Sequence, residues 1–139
     1  MAITQGMASS FKQELLQGTH VIGTDVLKIA LFTSAATLSA ATTAYAATNE
    51  ASGTGYTAGG NTLGGTSVSL TGTTAFVSFA DSTWVTASIT ARGALIYNSS
   101  KSNKAIAVLD FGADRTSLAG NFTVQFPAND ATNAIVRIA

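Results

Sequence analysis

The groups able to do chemistry are few: one histidine, seven acids, seven bases and no cysteine in 139 residues. Without cysteine there is no thiolate nucleophile, no thiolate metal site and no disulfide framework. His20 has no second histidine with which to share a metal. It follows Gly18, which sits where a helix ends, so it is expected as a capping or surface residue whose protonated form suits the helix C-terminus. Asp110 and Asp114 flank Phe111-Gly112-Ala113, with Arg115 adjacent. Two acids four apart on a turn suit calcium, but the oxygen-rich spacing of an EF-hand loop is missing. Turn capping and pairing with Arg115 is the expectation there. Glu14 and Glu50 show no partner arrangement of the kind a glycosidase pair needs, and the many serines include no Gly-x-Ser-x-Gly elbow. The expectation is no enzyme, and no catalytic, cofactor-binding or metal-binding residue.

Other conspicuous residues read as structural. Gly53-Thr54-Gly55-Tyr56-Thr57-Ala58-Gly59-Gly60 is glycine-rich, but a dinucleotide or phosphate loop needs a hydrophobic strand before it and a helix after it. Neither flank fits, so a loop or bulge near a subunit contact is expected. Trp84 lies in the turn-like Asp81-Ser82-Thr83-Trp84, either as an interface anchor or as a plug at the end of the fold. Tyr45 and Tyr56 stand out among small residues and read as interface candidates. Arg92 interrupts an uncharged strand and must face solvent or be paired, within the chain or across subunits. Gly93 beside it suggests a bulge or the close approach of another backbone.

The elements that position these residues follow from periodicity. Met7, Phe11 and Leu15 recur every four residues with Leu16 beside them, predicting a helix over 4–17 with Thr4 or Ser9 as its cap. Val26–Thr33 is apolar on both faces, as a central strand would be. Ser34–Thr74 is almost entirely Ala, Thr, Ser and Gly, with Glu50 as its one charge. Such a stretch builds little core of its own and becomes ordered by lying against something larger. Residues 34–47 within it allow a turn or two of helix but disfavour a long one, and read as an ordered excursion. Strands are expected at Val68–Leu70, Ala75–Ala80, Ala87–Tyr97, Lys104–Phe111, Phe122–Phe126 and Ala134–Ile138. Asn98–Asn103 reads as a hairpin loop, with further turns at Asp114–Gly120 and Pro127–Thr132. The fold class expected is all-β: one antiparallel sandwich or barrel-like domain over 1–139, a short N-terminal helix at 4–17 and a β-rich body over 24–139.

Composition bounds the partners. Only 10% of residues are charged and the net charge is zero, against roughly 25% charged in an ordinary soluble domain. Little repulsion therefore keeps copies apart, and much of the surface is expected to be covered by partners. The four lysines and three arginines are scattered, leaving no footprint for nucleic acid. No apolar run approaches the roughly 20 residues a membrane helix needs, and no secretory signal opens the chain. Synthesis in a cytoplasm with no membrane address is the expectation.

Taken as a set, several stretches resemble a family of small tailed-bacteriophage virion structural proteins. They are Thr4-Gln5-Gly6, Ser10-Phe11-Lys12-Gln13-Glu14-Leu15-Leu16, the Gly53–Gly60 segment, Thr90-Ala91-Arg92-Gly93-Ala94 and Leu109-Asp110-Phe111-Gly112. The close, Phe126-Pro127, Asn129-Asp130 and Ala134-Ile135-Val136-Arg137-Ile138, belongs with them. The likeness runs over essentially the whole chain, none of its motifs is catalytic, and in size and character it is similar to capsid cement proteins. It implies a virion component made in the host bacterial cytoplasm. The expected role is a head decoration protein, a homotrimer on the major capsid protein at the capsid surface. A tail, fibre or baseplate component involved in assembly or host attachment is the alternative, and an envelope-degrading enzyme lacks an acid–base pair.

Overall fold

The computed structural model describes residues 2–139. In chain order the elements are β1 (Gly6–Met7), α1 (Ser9–Leu16), β2 (Leu27–Phe32), β3 (Asn61–Thr62), β4 (Ser67–Thr71) and β5 (Thr74–Ser78). They continue with β6 (Ser82–Ala87), β7 (Thr90–Asn98), β8 (Lys104–Thr116), β9 (Gly120–Val124) and β10 (Val136–Ile138). The fold is all-β with one short helix, as the spacing of strands and turns predicts, and its strands pair antiparallel in three sheets. The largest runs β1-β8-β7-β2-β3, a second runs β10-β5-β4, and β6 pairs with β9.

The centre is the β8-β7-β2 block. Leu27, Ile29, Leu31 and Phe32 on β2, Leu95 and Ile96 on β7, and Ile106 and Val108 on β8 are all sealed from solvent. Burying each such side chain is worth roughly 2 kcal/mol, so these strands carry most of the hydrophobic stabilisation. Val77 and Val136 of the second sheet, and Trp84, Phe122 and Val124 of the β6–β9 pair, join the same core. Gly93 lies where β7 and β8 shift register, and a methyl group there would meet the Leu109 carbonyl oxygen at 2.5 Å and Ile3 at 2.9 Å. Close approach is the reason for glycine at that position.

Three expectations differ from the structure. The helix covers Ser9–Leu16 rather than 4–17, because Gly6 and Met7 pair with Val108 and Ala107 instead. Neither Thr4 nor Ser9 caps it: Ala8 holds the N-cap position with no side-chain bond. Its C-terminus does close at Gly18, whose N–H meets the Leu15 carbonyl while that of Thr19 meets Glu14, a Schellman arrangement. Residues 34–47 form the ordered excursion expected of them, without the turn of helix their composition allows; bridges from Leu38 to Ile3 and from Ala44 to Lys104 order them. Asp81–Trp84 is not a turn: Ser82–Trp84 begin β6, which ends at Ala87 before β7 starts at Thr90. Finally, β8 runs through Asp114 to Thr116, so the turn predicted over Asp114–Gly120 is confined to Ser117–Ala119.

Candidate assembly surface

The small-residue segment meets β2 through the Ala51 N–H on the Leu31 carbonyl at 2.8 Å and the Thr33 N–H on the Asn49 carbonyl at 3.0 Å, and its one charge adds a cluster of side-chain bonds. Glu50 accepts hydrogen bonds from the Tyr45 hydroxyl at 2.5 Å, the Tyr56 hydroxyl at 2.6 Å and the Gly59 N–H at 2.8 Å. Tyr56 in turn accepts from the Leu31 N–H of β2 at 2.9 Å. Tyr97 of β7 donates to the Gly59 carbonyl at 2.7 Å and stacks on Tyr45 with centroids 4.6 Å apart. Burial, and the carboxylate that each hydroxyl faces, push Tyr45 and Tyr56 far above the ordinary tyrosine range. Burial and the Glu50 charge raise Tyr97 as well. All three tyrosines of the chain thus belong to one cluster around one carboxylate. Tyr45 and Tyr56, read from the sequence as interface candidates, spend their rings and hydroxyls inside the chain.

His20 is buried rather than exposed, because Asn98, remote in sequence, closes over it. The Asn98 amide is oriented twice over, donating to Asp25 Oδ2 at 2.7 Å and accepting from the Ser100 N–H at 3.0 Å. Its Nδ2 therefore donates to His20 Nδ1 at 2.9 Å. That leaves the proton on Nε2, which donates to Glu14 Oε1 at 2.9 Å; the tautomer is fixed by its neighbours. Lys104 and Lys101 complete the ends at Glu14 and Asp25. Burial opposes ionisation of Asp25, but bonds from the Val21 N–H, Asn98 and Lys101 outweigh it and lower its pKa. This chain of groups joins α1, the following loop and the β7–β8 hairpin.

The remaining candidates are also structural. Arg92 pairs with Asp110 at 3.1 Å within the chain. Asp110 is held below the usual carboxylate range first by the Gly112 N–H and then by Arg92. Arg115 reaches the Phe111 carbonyl rather than an acid, so the expected pairing of Asp110 with Arg115 does not form. Trp84 is buried between Tyr56 and Phe122, a plug rather than an exposed anchor. Among the described residues no three acids or histidines gather as a metal site. A groove of about 530 Å³ beside β8 and β9 is lined by Phe111, Arg115, Asn121, Phe122 and Gln125 among others, with no acid or histidine in its lining.

What the fold leaves open is apolar. On the second sheet, Val68, Val77 and Val136 lie opposite one another, as do Leu70, Ala75 and Ile138, so all six side chains share one face. A groove of about 230 Å³ separates that face from Phe11, Leu15 and Ile22. Leu16 is 92% exposed and Leu70 70%, with Val68 and Ile138 more than half exposed. Every residue of the edge strand β4 is exposed. No charged residue occurs between Glu50 and Asp81. Sequence reasoning missed this surface because the signal sits in two residues, Val68 and Leu70, that read as ordinary strand positions.

The chain matches no known family model, no curated protein and no solved structure.

Proposed function

We infer that this chain is a bacteriophage virion structural protein, a capsid cement or head decoration subunit that acts by packing rather than by catalysis. The observation that carries the assembly reading is the exposed apolar surface formed by α1, β4 and β10, bordered by 30 uncharged residues. Isolated apolar side chains on a surface are ordinary, whereas a contiguous group of them marks a contact. The virion assignment draws on the resemblance of the motifs at both ends and in the middle of the chain. A small subunit repeated over a lattice turns modest contacts into large particle stability. A homotrimer seated on the major capsid protein would match the local three-fold points of an icosahedral shell and close on itself without driving fibres.

Two measurements together test this reading: light scattering of the purified protein, and its copy number in purified particles by quantitative mass spectrometry. Hundreds of copies per particle and a stable oligomer are expected. A stable monomer present in a dozen copies or fewer would place the protein in the tail and overturn the cement reading.

A further inference from the structure

We propose that β4 is a pairing edge for a second copy of this chain, joining two three-stranded sheets into one six-stranded sheet across a two-fold axis through Ser69.

β4 and β5 form a hairpin in which Thr71 faces Thr74, leaving a two-residue turn, Gly72-Thr73, with Gly72 at φ +59°. In such a hairpin the pair closing the turn is hydrogen-bonded, and hydrogen-bonded and non-bonded pairs alternate from there. Ser67, Ser69 and Thr71 therefore direct their N–H and C=O toward β5, while Val68 and Leu70 direct theirs to the open side. Among the described residues no other backbone segment meets them: β4 is the outer strand of its sheet, and neither residue takes part in a backbone bond to a loop. Buried or exposed, an unpaired row of this kind is a template for another strand.

The row is complementary to itself. Turned about an axis at Ser69, an antiparallel copy brings Val68 opposite the partner copy's position 70 and Leu70 opposite its position 68. Each of these two pairs exchanges two hydrogen bonds, so all four free groups on each strand are used. The same register sets the Val68 and Leu70 side chains, 55% and 70% exposed, against their counterparts on one face, removing both from water. Natural edges are usually protected by charge, proline or a bulge. β4 and β5 carry none of these: the nearest charges in sequence are Glu50 and Asp81, and the β4–β5 register is unbroken. Two neutral edges can therefore approach without repulsion. The inference depends on the assembly reading only in that copies must meet.

Because the chain has no cysteine, disulfide trapping in the full-length protein reads the register directly. Ser69→Cys places two thiols in a non-hydrogen-bonded pair with Cα atoms roughly 4.5 Å apart, within disulfide reach. Ser67→Cys places its two thiols about 13 Å apart along the strands, but within reach of Thr71→Cys on the other copy. Under mild oxidation the expected result is a covalent dimer for Ser69→Cys, none for Ser67→Cys alone, and a dimer when Ser67→Cys and Thr71→Cys are mixed. Val68→Pro removes an N–H from the open side only, and is expected to weaken association at least tenfold with an unchanged circular dichroism spectrum. Equal trapping of Ser67→Cys and Ser69→Cys, or no trapping of either, overturns the pairing. If light scattering shows an oligomer while Ser69→Cys fails to trap, the edge proposal falls and the assembly reading stands.

Discussion

Two parts of the same small-residue stretch meet opposite fates. The first, around residues 45–60, lies over the central sheet, where Glu50, two tyrosines and the Gly59 N–H join it to β2 and β7. The second, the β4–β5 hairpin, has similar composition but no charge, and its outer strand is exposed along its whole length. Bulk does not separate them, since neither is rich in large side chains. What differs is a carboxylate placed where two phenols and one amide converge, beside backbone bonds that join Ala51 to Leu31 and Thr33 to Asn49 on the central sheet. One half-buried acid with three donors holds a segment that hydrophobic burial alone would hold weakly. Without such a device, the hairpin keeps an edge available to another chain.

Breaking the anchored side should cost most. Gly60 sits at φ +78°, and a methyl group there would lie 1.8 Å from the Ile29 carbonyl oxygen of β2. Gly60→Ala must therefore push the segment off the sheet, and chemical denaturation should show a loss of about 4 kcal/mol. Glu50→Ala leaves two phenol hydroxyls and one N–H without their acceptor, with an expected loss of about 3 kcal/mol. On the hairpin side, Leu70→Lys should change the stability of the isolated chain by no more than about 0.5 kcal/mol, because the side chain it replaces is already in water. Equal costs on the two sides would erase the contrast.

Alkaline titration sharpens the same comparison. Tyr45, Tyr56 and Tyr97 all have raised pKa values in the folded chain, while unfolded tyrosine ionises near pH 10, in round terms about its ordinary value. The protonated forms are favoured by folding, so their contribution is fully present below about pH 10 and is lost as pH rises beyond it. Tyrosinate absorbance should therefore appear only together with unfolding. An ionisation step near pH 10 in the folded protein would mean that at least one hydroxyl is free.

The sequence made the sheet's framework legible where the signal was local. The two apolar faces of β2, the Asn98–Asn103 loop, the close approach at Gly93 and the helix stop at Gly18 all depend on neighbours in the chain. It was silent where the deciding partner lay far away. Glu50 reads as a lone charge until β2 and β7 bring Leu31 and Tyr97 beside it, and His20 reads as a surface residue until Asn98 covers it. Met7 fits the helical stripe, yet pairing with Ala107 on β8 takes it into a strand. The turn residues of Asp81–Trp84 disguised β6, whose positive φ at Thr86 leaves no trace in residue type. The open edge was hidden for a different reason: exposure of Val68 and Leu70 is a property of sheet order, which no local pattern records.

Amide hydrogen exchange followed from dilute to associated protein tests the contrast most directly, because it reports both regions in one experiment. The Gly59 amide, bonded to Glu50, should exchange slowly at every concentration. The Val68 and Leu70 amides should exchange rapidly in dilute protein and slow at least tenfold on association. Association that leaves the Val68 and Leu70 rates unchanged, or rapid exchange at Gly59, would contradict the account.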